Sequence, residues 1–143
     1  MKLNPQLSLA FNGQCEAAFT FYERCLGGRI VSMFTWGNSP MASEAPPGWA
    51  GKVMHATLAI GDIVIAGSDV PPAQYERPQG FAVLLGVEDP GESERIFHAL
   101  AENGTVTMPI QETFWAVRFG ALLDQFNIPW SVNCENSPES SGT

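Results

Sequence analysis

The sequence predicts an α+β fold built from two βαβββ modules in tandem. Three observations carry this. Strand-type and helix-type patterns follow one another in that order twice, the two halves align without a gap at an offset of 76 residues (Glu16 onto Glu92), and a proline-rich stretch separates them.

The first strand is Leu7-Ser-Leu-Ala-Phe11, whose alternation places Leu7, Leu9 and Phe11 on one face and Gln6, Ser8 and Ala10 on the other. Gln14 to Leu26 follows as a helix, with Ala18, Phe21, Tyr22 and Cys25 on one side and Gly27-Gly28 as its stop. Arg29 to Trp36 resumes a strand. The segment 37–51 is rich in Gly, Pro and Ser, and it is long for a connection in so small a module, as flaps and binding loops are. Val53 to Ile60 and Asp62 to Ala66 form a hairpin turning at Gly61-Asp62. After the prolines at 71, 72 and 78 the order repeats. Phe81 to Val87 is a strand, and Glu92 to Asn103 is a helix with Ile96, Phe97, Leu100 and Ala101 inward and Gly104 at its end. Thr105 to Thr113, Arg118 to Leu123 and Ile128 to Cys134 supply the last strands. At the same offset Leu9 meets Leu85, Phe21 meets Phe97, Gly28 meets Gly104, Leu7 meets Val83 and Ile30 meets Val106. The expected organisation is a first module over 1–70, a linker over 71–79, a second module over 80–135 and a flexible tail over 136–143.

Composition narrows the function. The net charge is −8 with only seven Lys and Arg, scattered from Lys2 to Arg118, which argues against nucleic acid and against an acidic membrane surface. No stretch approaches the ~20 apolar residues of a membrane span, and the first residues lack the apolar run of a signal peptide. Cys15, Cys25 and Cys134 are odd in number and lack CxxC spacing, so reduced thiols in a cytoplasm are the expectation rather than a disulfide framework or a zinc site.

Several segments then carry a resemblance. Glu16-Ala17-Ala18 through Phe21-Tyr22 and Leu26-Gly27, His55-Ala56, and Ile65-Ala66-Gly67-Ser68-Asp69 resemble the PhnB-like branch of the vicinal-oxygen-chelate superfamily, often labelled a 3-demethylubiquinone methyltransferase domain. The most specific match is Gln111-Glu-Thr-Phe-Trp-Ala-Val-Arg-Phe-Gly120, followed by Asp124-Gln-Phe126 and Pro129-Trp130. Asn127 stands where that family usually has Gly, a position Asn tolerates. The resemblance covers about Leu3 to Cys134. It implies glyoxalase-like sheets curled into cupped, partly open barrels, a homodimer, and a small-molecule cavity in each cup. The methyltransferase label finds no support, since no G-x-G-x-x-G strand-to-helix turn occurs.

Metal-dependent members of that superfamily place one His, Glu or Gln on each of four strands. Laid on this chain, the pattern puts Gln6, Ile65, Ala82 and Ser131 there, and Ile65 and Ala82 offer no donor. No metal and no cofactor are therefore expected. Other candidates remain. His55 faces away from the apolar Met54, Ala56, Leu58 and Ile60, so it is either a general base or a hydrogen-bonded histidine at the mouth of the barrel. Glu112, Trp115 and Arg118 could bind an anionic or planar ligand, or else Trp115 is core and the two charges pair with each other. Trp36 and Trp49 flank the long loop and could close over an apolar ligand, or else Trp49 is dimer-interface surface. Cys15 and Cys25 read as buried thiols. The leading expectation is a metal-free protein binding an unidentified small molecule through Gln6, Trp36, His55, Glu112, Trp115, Arg118 and Ser131. The alternatives are a glyoxalase- or dioxygenase-like enzyme, using an atypical metal set with Gln6 or acid–base work by His55 and Glu112, and a structural or regulatory dimer without a ligand.

Overall fold

The structure is a computed structural model that describes residues 1–135; the expected tail over 136–143 lies outside them. The elements in order are β1 (Leu7–Phe11), α1 (Cys15–Leu26), β2 (Arg29–Thr35), a short 3-10 turn (Ala42–Glu44), β3 (Val53–Ile60), β4 (Ile63–Asp69), β5 (Val83–Gly86), α2 (Pro90–Leu100), β6 (Thr105–Gln111), β7 (Ala116–Leu123) and β8 (Pro129–Glu135). The chain divides into two units, Met1 to Glu76 and Arg77 onward, with the boundary inside the segment read as a linker.

Both units have one topology. The first sheet runs β1-β4-β3-β2 and the second β5-β8-β7-β6. In each, the strand before the helix pairs in parallel with the last strand of its unit, and the remaining neighbours are antiparallel. The offset that aligned the sequences carries β2 (Arg29–Thr35) onto β6 (Thr105–Gln111) end to end. Each sheet is therefore mixed and open, with one helix against one face.

The helices bury the stripe their spacing dictates. In α1, Cys15, Ala18, Phe19 and Tyr22 fall at the i, i+3, i+4, i+7 spacing of one face, and all four are fully buried. Phe19 was not among the expected inward residues, yet it lies against Gly67 of β4. A Cβ at Gly67 would come within 2.6 Å of the Phe19 ring, so the glycine makes room for the aromatic. Phe19 also meets Phe11 edge to face at 5.9 Å. In the second unit Phe97 packs onto Gly120 in the same way, and Leu100, Leu122, Trp130 and Val132 are buried there as well.

Element ends differ from expectation by a few residues, for local reasons. α2 spans Pro90–Leu100 rather than Glu92 to Asn103. Asp89 caps it by accepting from the Glu92 N–H at 2.8 Å, and Pro90 occupies the first turn, where its missing N–H costs nothing. β4 continues to Asp69, because its parallel partner β1 extends to Phe11 and the register pairs those two residues. β5 is shorter than Phe81 to Val87, its pairing with β8 running from Val83 to Gly86. Of the glycines expected to stop the helices, Gly27 does so and the other two have another role. The left-handed position after α1 is Gly27, and its equivalent after α2 is Asn103 at φ 59°. Gly28 and Gly104 instead lie where a Cβ would approach the carbonyl oxygens of Ala59 and Leu123 at 2.7 and 2.4 Å.

Candidate ligand site on the second module

Strand alternation gives the second sheet two unlike faces. Val83, Leu122, Trp130 and Val132 point to the α2 side and are buried. Their neighbours Ala82, Leu84, Ala121 and Ser131 point to the open side, and the register sets Leu84 and Ala121 on either side of Ser131. Leu84 is 62% exposed, which is unusual for a leucine in the middle of a strand.

One end of this open face is hollow. The residues there include small ones (Gly80, Ala82, Ala121 and Ser131), and the chain from Arg77 onward lines the same hollow. Gly80, at φ 86°, supplies the left-handed bend that brings this segment onto the sheet. The result is a pocket of about 530 Å³, within the usual range for small-molecule sites. Phe81, Leu123 and Pro129 are apolar lining residues, Thr107 and Ser131 the hydroxyl-bearing ones, and Arg77 the cationic one. Of the residues singled out from sequence, Ser131 lines this pocket. Arg77, Phe81 and Thr107 had no signal beyond their position, because only the turn at Gly80 brings the linker against the sheet.

The remaining candidates divide. Arg118 points to the α2 side, where its Nε donates to Glu94 Oε1 at 2.9 Å and a terminal nitrogen donates to the Val117 carbonyl at 2.7 Å. The structure thus pairs Arg118 with Glu94 on the helix and not with Glu112, which is exposed. Trp115 stacks edge to face on Phe114 and Phe119 at 4.8 and 5.3 Å, and Phe114 is 93% exposed. An aromatic tip therefore stands where a mixed charged and aromatic cluster was expected.

In the first unit, His55 is exposed on the open face, across from Phe34 of β2. Beside it Thr57 and Ser32 share a hydroxyl hydrogen bond at 2.8 Å. Gln6 is exposed just ahead of β1. Trp36 lies just past β2, where its N–H donates to the Lys52 carbonyl and Gly37 donates to Ala50, so the 37–51 loop is closed at its base. The Trp36 indole Nε1 is buried without a hydrogen-bond partner. So is Asn133 Oδ1 in the second unit, an orphaned acceptor that the sequence reading did not flag.

The four positions tested for a metal need one correction. The parallel register pairs Leu7 with Ile65 and Ser8 with Ala66, so Ile65 points into the α1-side core, 2% exposed, while Gln6 points the other way. The open-face position on β4 is Ala66, just as Ser131 opposite Leu84 is on β8. The one-residue slip turned that strand inside out. Gln6, Ala66, Ala82 and Ser131 still include two side chains with no donor atom, so this set does not fit the divalent ion of the metal-dependent enzymes. Among the described residues, no group of three or more His, Cys, Asp or Glu could hold a metal ion.

Two buried aspartates explain much of the motif residues. Asp69 accepts from the Cys15 N–H at the start of α1 and from the Val53 N–H at the start of β3, both at 2.8 Å. Asp124 accepts from Phe126 N, Ile128 N and the Trp130 indole. Cys15 is fully buried, and burial, with Asp69 and Glu16 adding to it, pushes its thiol well above the ordinary range. It is therefore no nucleophile.

The profile of the Glyoxalase/Bleomycin resistance protein/Dioxygenase superfamily matches residues 7–132. The chain belongs to this superfamily. Protein YjdN of Escherichia coli K12 is 34% identical over 141 residues, spanning 93% of this chain and 95% of the relative. Among superfamily structures, protein PA1353 of Pseudomonas aeruginosa is 42% identical with a TM-score of 0.83, over 94% of this chain and all of that one. A PhnB protein of Bacillus cereus, which carries a provisional 3-demethylubiquinone-9 3-methyltransferase label, is 25% identical with a TM-score of 0.78, over 92% and 99% of the two chains. The glyoxalase-like architecture expected from the sequence is the one observed, with open sheets in place of a closed barrel.

Proposed function

We propose that this glyoxalase-superfamily chain is a metal-free small-molecule-binding protein, and that the open face of its second module holds the ligand. The observation that carries the reading is the pocket of about 530 Å³ at Ser131, kept open by alanine and glycine where larger side chains would fill it. A sheet face meant for packing alone would be filled, because protein interiors leave few voids larger than a water. Its apolar walls with a few hydroxyls match the general make-up of small-molecule sites. The donor-poor set Gln6, Ala66, Ala82 and Ser131 supports the absence of a metal.

Two further features belong to this reading. Val31, Phe34, Leu84, Met108 and Phe114 are exposed apolar side chains, which supports a homodimer that covers part of them. Three free, buried cysteines support a reducing, cytoplasmic setting. The function itself is tested with the neutral fluorescent probe N-phenyl-naphthylamine. Saturable binding to the wild-type protein, lost in Ala121→Trp and weakened in Ser131→Met while both variants melt like wild type, is the expected result. Equal binding by all three proteins would place the probe elsewhere and sink the proposal, as would no binding at all.

A further inference from the structure

We infer that the ligand of the second-module pocket is an organic monoanion with an apolar body, its charge held by Arg77; this rests on the pocket reading above. Among the described residues that line the pocket, Arg77 is the one ionisable side chain, and the rest of the wall is apolar or neutral. Its guanidinium makes no ion pair or hydrogen bond within the described residues. The other arginines of the second unit are engaged: Arg95 with Glu92, and Arg118 with Glu94. A planar fork of donors left free at the lip of an apolar hollow suits a carboxylate or sulfonate, which it can grip through two parallel bonds. The wall offers no carboxylate to recognise a cation.

Charge sets the number of negative groups. The chain carries −8 overall, so its field repels anions, and one local cation can offset one charge. A second negative group would find Thr107 and Ser131 hydroxyls but no second cation. The apolar part of the ligand would lie over Ala82 and Ala121, against Phe81 and Leu123.

The test uses two probes that differ by one anionic group, anilinonaphthalene sulfonate and neutral N-phenyl-naphthylamine, titrated into the full chain. The sulfonate should bind about tenfold more tightly at low salt, the size of a partly solvated charge-assisted bond. Arg77→Gln should erase that preference, so that the two probes bind alike, Arg77→Lys should retain part of it, and added salt should weaken only the sulfonate. Equal binding of both probes by wild type, or a sulfonate preference that survives Arg77→Gln, overturns the inference while the pocket stands. Failure of both probes to bind overturns the pocket reading and this inference with it.

Discussion

Asp124 shows how one residue can carry a turn. It is 2% exposed and receives three donors, the Phe126 and Ile128 N–H groups at 2.8 and 3.0 Å and the Trp130 indole at 2.8 Å. Each buried donor left unpaired costs about 1–3 kcal/mol, so Asp124→Ala should lower stability by about 3 kcal/mol or more in urea unfolding. A loss under about 1 kcal/mol would show that water replaces the carboxylate, and that the turn does not depend on it. The motif Asp124-Gln-Phe126 with Trp130, visible in the sequence as a family signature, is thus a structural clamp; its meaning lay in three bonds that sequence spacing does not display. Cys15 gives a pH signature. Its folded thiol titrates above its ordinary 9.0 because of burial first, then Asp69 and Glu16. The folded state keeps a proton that the unfolded chain gives up, so the contribution is whole below about pH 9 and fades as pH rises further. Melting temperature should fall above that pH, and the fall should be shallower in Cys15→Ala. Parallel curves for the two proteins would refute the assignment.

At the scale of elements, the two units solve one packing problem with different residues. The chain leaves each helix through a left-handed residue, then passes so close to the neighbouring strand that no side chain fits. Gly27 and Gly28 do this in the first unit, Asn103 and Gly104 in the second. Gly104→Ala would set a methyl 2.4 Å from the Leu123 oxygen, and should cost about 2 kcal/mol or more as the backbone shifts. Asn103→Gly relieves a left-handed asparagine and should be neutral or stabilising by a few tenths of a kcal/mol. The reverse ranking in thermal melts would mean that a side chain fits at Gly104 after all. The repeat was legible here, because glycine placement and apolar spacing are local. The partner of Arg118 was not. Alternation sets it on the α2 side with Gly120 and Leu122, but only folding brings Glu94 of α2 within reach of its guanidinium. With both partners part-exposed, that pair is worth less than about 1 kcal/mol.

For the molecule as a whole, superfamily membership raises the expectation of a metal, and the open-face residues lower it. Protein purified without chelator or affinity nickel should carry no stoichiometric transition metal, and its melting temperature should not move on adding Mn, Fe, Co, Ni or Zn. Run on a sizing column, the same sample should elute as a dimer, and Leu84→Glu with Phe114→Ser should shift it toward the monomer. Tightly held, chelator-removable metal would show that donors outside Gln6, Ala66, Ala82 and Ser131 converge. A wild-type monomer would leave the exposed apolar residues for the ligand or another partner.

The sequence by itself determined the two-module order, the helix stripes, the unlike faces of the strands and the poverty of metal donors, since all of these follow from periodicity and residue type. Only the tertiary structure decided that Ala66 and not Ile65 takes the open side, because register is a pairing between strands distant in the chain. It alone brought Arg77 and Ser131 to one pocket, which a linker residue and the last strand line together. Side-chain chemistry is written along the chain, but a pocket is a property of residues that meet only after folding.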